Sequence, residues 1–197
     1  MAPTPDEFED LVLSARYGDL EDVQAFADAY GWGAVSSARD DRGNSVLHMA
    51  CGNGHLDVVK LILANVPASA LPALISAKNE AGSPAVHWAV LNNHVACVQA
   101  LVDVPDTNGG GIQVLKQCNG AGRDAFAEAL FSGEGKEEVA GWIEGYIWKI
   151  EGDDDEVRMT AGVAAEEEVP SRDEQGVEPV EVEPVDDVAD KAAQLKV

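Results

Sequence analysis

In residues 43–63, "GNSVLHMACGNGHLDVVKLIL", Leu47 and Ala50 lie three positions apart on one face of a helix that Ser45 can cap by accepting a backbone N–H. Gly54 ends that helix in a left-handed conformation. The next segment, "HLDVVKLILA", places Val58, Val59, Leu61, Ile62 and Leu63 on the wide apolar face of a second helix. Upstream, Asp40, Asp41, Arg42 and Gly43 predict a turn. The pattern is therefore a turn followed by two helices, a unit whose apolar faces need neighbouring units to cover them.

The neighbours are present. Gly43, Leu47, His48, Ala50, Gly54, His55, Val59 and Leu63 align at a constant offset of 39 with Gly82, Val86, His87, Ala89, Asn93, His94, Val98 and Val102. Asn93, which tolerates a left-handed conformation, takes the place of Gly54. Val95, Val98, Leu101 and Val102 repeat the apolar face of the second helix. A degenerate copy follows through Gly122, Phe126, Ala129 and Gly133, and another precedes through Leu11, Gly18, Leu20 and Val23. Four repeats, near 7–30, 40–66, 79–104 and 119–148, with atypical outer units, predict a capped all-α solenoid over residues 1–150. "VPASALPALISAK" and "VPDTNGGGIQVLK" lengthen the spacing after the second helices, and each is expected to extend that helix or add a short one.

"SVLHMACGNGHLDVVKLIL" resembles the ankyrin repeat, whose signature is T-P-L-H-x-A followed by a glycine–histidine pair and an amphipathic helix. "PAVHWAVLNNHVACVQALV" is similar with more departures, and the repeat spacing exceeds the family's roughly 33 residues. The resemblance implies a partner-binding concave surface made by hairpin tips and first helices. The positions it places there are Arg16 and Tyr17, then Asp41, Arg42, Asn44 and Asn53. In the third unit they are Glu80, Ala81, Ser83, Trp88, Leu91 and Asn92, and in the fourth Arg123, Glu128 and Phe131. Aromatic residues in that set suit anchoring, although Trp88 could equally pack between repeats.

Charge alters the picture of the partner. The formal net charge is −23, from 36 acidic and 13 basic residues. This argues against a nucleic-acid backbone or an anionic membrane surface and favours a basic protein. Residues 151–197 hold 16 acidic and four basic residues, three prolines and no aromatic residue. That composition predicts a disordered acidic tail. No signal peptide and no membrane-length apolar run is visible. Three scattered cysteines, Cys51, Cys97 and Cys118, are read as small buried apolar residues rather than a disulfide framework.

His48, Cys51 and His55 suggest a metal site, but a helix separates the two histidines by about 10 Å. They are expected instead to brace structure: His48 and His87 by bonding backbone at the hairpin, His55 and His94 at the helix corner. No metal or other cofactor is expected. Neither a phosphate loop nor a nucleophile elbow is present, so a non-enzymatic protein is expected. Trp142 and Trp148 in "VAGWIEGYIWKI" are expected to seal the last repeat, while Trp32 stands at the first repeat's corner.

The short stack, long inter-repeat segments and acidic tail together resemble the small fungal ankyrin-repeat chaperones of ribosomal protein S three. The resemblance implies a cytoplasmic and nuclear escort that shields the basic N-terminal region of that protein before small-subunit assembly; a monomer is expected. The alternative is an adaptor or regulator that binds a basic signalling, transcription or histone partner. Fold alone does not separate the two.

Overall fold

The computed structural model describes residues 2–152, so the acidic tail lies outside the described residues. Helix α1 (Pro5–Tyr17) starts at Thr4, whose hydroxyl accepts from the Glu7 backbone while the Glu7 carboxylate accepts from Thr4. This reciprocal cap with Pro5 in the first turn is spelled by the sequence "TPDE". Asp19 caps α2 (Leu20–Tyr30) in one direction only, its carboxylate accepting from the Asp22 N–H, and α3 (Trp32–Ser37) follows after Gly31.

The central units are α4 (Val46–Asn53) with α5 (Leu56–Asn65), and α7 (Ala85–Leu91) with α8 (Val95–Val102). The last unit pairs α10 (Ala125–Phe131) with α11 (Glu137–Glu151). First helices pack in the order α1, α4, α7, α10, and second helices in the order α2, α5, α8, α11. The result is two helical layers joined by hairpins. Among the described residues no strand forms; only isolated bridges occur, Arg39 with Ser45 and Lys78 with Pro84, at the base of successive hairpins.

The long connections build short helices rather than extending the second ones: α6 (Leu71–Ile75) and α9 (Ile112–Leu115), the latter preceded by a tight turn at Asp106–Asn108. Each buries its own apolar pair or triplet: Leu71, Leu74 and Ile75, then Val114 and Leu115. The first unit adds the equivalent α3, with buried Val35 and a half-buried Trp32 against the core.

Burial follows the repeat register. Leu47, Ala50, Val86 and Ala89 are inaccessible between first helices, and Val58, Val59, Ile62, Val98, Leu101 and Val102 are buried in the second layer. At the C-terminal end Val139 and Ile143 are buried and Trp142 is half-buried. Trp148, expected to help seal the stack, is 65% exposed, because it lies on the opposite side of α11. The cysteines also divide. Cys51 and Cys97 are buried, whereas Cys118 sits exposed in the turn before the last hairpin, contrary to the expectation for all three. Helix α11 runs one residue beyond the expected boundary at 150, and Glu151 pairs with Lys116 at 2.7 Å.

Candidate partner-binding face

The hairpin tips are fixed by side chains before any partner is considered. Asp40 Oδ1 accepts from the backbone N–H of Arg42 (2.9 Å) and Asn44 (2.7 Å), closing the turn. The Asn44 amide donates to Asp40 Oδ2, and its oxygen accepts from Asn79 Nδ2, both at 2.8 Å. The Glu80 N–H then donates to the Arg42 carbonyl at 3.0 Å, joining one hairpin to the next through backbone. Asn79 and Asn119 play the part of Asp40 in their own hairpins, accepting from Ser83 and from Ala121 and Arg123.

The histidines link the units in both directions. His48 Nε2 lies 2.9 Å from the Ser83 carbonyl of the following hairpin, and His87 Nε2 lies 2.7 Å from the Gln117 carbonyl. A carbonyl only accepts, so both rings carry their proton on Nε2. His48 Nδ1 is then free to accept from the Ser45 backbone at 3.1 Å and from the Ser45 hydroxyl at 2.8 Å. Burial holds both imidazoles below their ordinary value, against the opposing pull of those carbonyls. His55 reaches backwards, with Nε2 2.8 Å from the Arg16 carbonyl, and its ring packs against Gly18. His94 packs in the same way against Gly54. His48 and His55 thus serve opposite neighbours, and no group of three metal-ligating residues converges among the described residues.

With that frame set, the expected partner-binding positions sort themselves. Tyr17 (74% exposed) and Phe131 (71%) stand open on α1 and α10, and Arg16, Asn53, Leu91 and Asn92 are exposed along the same layer. Asp41, Arg42, Glu80 and Ala81 are exposed at the tips. Trp88 packs between the repeats and still keeps part of its ring open. Its ring lies across Gly52 of the preceding unit and meets His48 edge-on at 6.2 Å, yet it remains only half-buried.

Two expected contact residues are internal. Asn44 is 2% exposed, because its amide bridges Asp40 and Asn79. Glu128 is 6% exposed and accepts from Arg123 Nε at 2.7 Å and Asn119 Nδ2 at 2.6 Å. Burial alone would raise the Glu128 carboxyl, but those two donors outweigh it and hold it below the ordinary range. Ser83 is half-buried, with its carbonyl turned to His48. Arg123 remains on the face, its guanidinium 4.0 Å above the Phe131 ring.

The repeat register adds one position to the expected face. Leu13 occupies the place of Met49 and Trp88 and is 38% exposed, which extends that apolar column into the first unit. Leu130, 63% exposed, has a different origin: its counterpart Val90 is buried beneath the following unit, and among the described residues no unit follows α10 and α11 to cover Leu130. Negative charge gathers beside the face more than on it. Helices α1 and α2 carry Asp6, Glu7, Glu9, Asp10, Glu21, Asp22 and Asp28 against Arg16 alone. The face itself mixes Asp41 and Glu80 with Arg16, Arg42 and Arg123.

A family profile for ankyrin repeats, in three copies, matches residues 11–109. The chain belongs to the ankyrin-repeat family. The ankyrin profile ends before α10 and α11, which complete the stack in the structure with Phe126 and Ala129 in the places of Val86 and Ala89. Among solved structures, this ankyrin protein is similar to a chain in the complex of yeast ribosomal protein Rps3 with its chaperone Yar1. Identity is 30%, coverage 74% of this chain and 96% of that one, and the TM-score 0.64. No curated protein matches. Among the described residues no helix is long and apolar enough to cross a membrane.

Proposed function

We propose that this protein is a dedicated chaperone of the small-subunit ribosomal protein related to yeast Rps3, shielding its basic N-terminal region until assembly. The observation that carries the reading is the 30% identity, over nearly the whole of the neighbouring chain, to a protein solved with the ribosomal protein it escorts. The physical features agree with such a client. Exposed Tyr17, Leu91 and Phe131, with half-open Trp88, offer apolar and aromatic anchors, while flanking carboxylates on α1 and α2 attract a lysine- and arginine-rich chain. The acidic residues 151–197 add to that attraction and raise the encounter rate. The protein acts as a monomer in cytoplasm and nucleus, binds the client rather than nucleic acid, and catalyses no reaction.

The test is a tagged pull-down from the organism's own extract at low and high salt, read by mass spectrometry. The ribosomal protein is expected in stoichiometric amount, with recovery falling as salt screens the charges. Recovery of a kinase, transcription factor or histone in its place, or a partner indifferent to salt, assigns the protein to the adaptor class.

A further inference from the structure

The second helical layer carries a feature that the partner-binding face does not use. Between α8 and α11 lies an open groove of about 530 Å³. Gln99 of α8 and its C-cap Asp103 line one side, and Trp142, Tyr146 and Lys149 of α11 the other. Gly141 and Gly145, one turn apart on α11, keep it open: a Cβ added at either would meet nothing within 4 Å. The Trp142 and Tyr146 rings stack with centroids 5.3 Å apart and planes at 22°. Asp103 sits at the C-terminal end of α8, where the helix dipole disfavours a carboxylate, so helix stability does not account for it. Among the described residues the ion pairs are Lys116–Glu151 and Arg123–Glu128, which leaves Asp103 and nearby Asp106 without a cation.

We propose that this groove receives an arginine or lysine side chain of the basic client, as a second contact on the outer layer; the proposal rests on the chaperone reading above. The stacked aromatic pair supplies a π-surface for the cation and its aliphatic stem, Asp103 the opposite charge, and Gln99 a carbonyl acceptor. Burial first, and then the charges of Asp106 and Asp103, push the Tyr146 phenol above its ordinary range, as expected where negative potential meets the ring. Lys149 lines the same groove, so its positive charge opposes an incoming cation and weakens its binding.

The two charges give variants of opposite sign. The full-length protein is titrated with acetyl-Gly-Arg-Arg-Gly-amide and with its neutral citrulline counterpart at about 0.15 M salt. The indole N–H resonance of Trp142, identified by its loss in Trp142→Phe, is followed. The arginine peptide is expected to shift that resonance saturably, with the citrulline peptide about 5-fold weaker. Asp103→Asn should weaken binding about 3-fold and Lys149→Ala tighten it about 2-fold, and the affinity for the ribosomal protein should move in the same directions. Equal response to both peptides, or movement of Trp88 in place of Trp142, overturns the proposal. If the ribosomal protein binds but ignores both variants, the groove assignment falls and the chaperone reading stands. If it does not bind while the arginine peptide still seats at Trp142, the chaperone reading falls and the groove's cation preference stands.

Discussion

The two central repeats share a backbone plan but not the same degree of internal satisfaction. In the second, Ser45 caps α4 and its backbone and hydroxyl both serve His48 Nδ1. In the third, Pro84 stands in that place with neither N–H nor hydroxyl, and His87 Nδ1 is buried without a partner. The corner residue differs for a related reason. Gly54 must lack a side chain because a Cβ there would lie 2.7 Å from the His94 ring. Asn93 can keep one because the next unit has Glu134 where the histidine would be, and its Oδ1 accepts from the Val139 N–H of α11 at 3.2 Å. A position in a repeat is thus governed by the residue that the following unit lays on it.

The largest expected effect separates the two histidines. His48→Ala removes the ring's volume and strands both Ser45 and Ser83, and is expected to cost about 3 kcal/mol in urea unfolding. His87→Ala strands only Gln117 and should cost about 1 kcal/mol less, so equal losses would erase the distinction. Next come the corners. Gly54→Asn drives a side chain into His94 and should lose about 2 kcal/mol. Asn93→Gly relieves the left-handed backbone but gives up the bond to α11, for a net loss of about 1 kcal/mol. A stabilised Asn93→Gly would show that Asn93 is a mere substitute for glycine.

Pro84→Ser supplies the missing cap and a partner for His87 Nδ1. After the loss of proline's rigidity it should gain about 0.5 kcal/mol, seen as a higher Tm. The subtlest readout is pH. Both buried imidazoles have folded values below the ordinary 6.5, so the unfolded chain takes up protons first as pH falls. Their contribution is complete above about pH 6.5 and is lost as pH falls through the folded values. His48→Gln and His87→Gln should therefore flatten the fall of Tm between pH 7.5 and 5.5, values of about the range in which histidine titrates. An unchanged slope would contradict the assignment of neutral rings.

The repeat itself was legible because its signals are local: the glycine turns, Ser45 before an apolar face, and Gly54 or Asn93 after it. The short helices α6 and α9 were foreseen as one of two outcomes, whereas α3 was not, because "GWGAVSS" has no clear apolar period. Asn44 and Glu128 read as exposed polar residues, since their burial depends on Asn79 and Asn119 in separate turns. Trp88 could not be resolved from sequence because Gly52, the residue that makes room for it, lies in the preceding repeat. The groove on α11 was equally hidden, since Asp103 and Trp142 meet only once the fourth unit docks.

Under the proposed function the first-helix face holds the ribosomal client. The most direct test is calorimetric titration of the purified Rps3-related protein of the same organism into wild type, Tyr17→Ala and Phe131→Ala. Both side chains are exposed, so both variants should fold with nearly unchanged Tm. Each is expected to weaken binding about 10-fold. Unchanged affinity in both, with folding intact, would contradict the account and move the client to another surface.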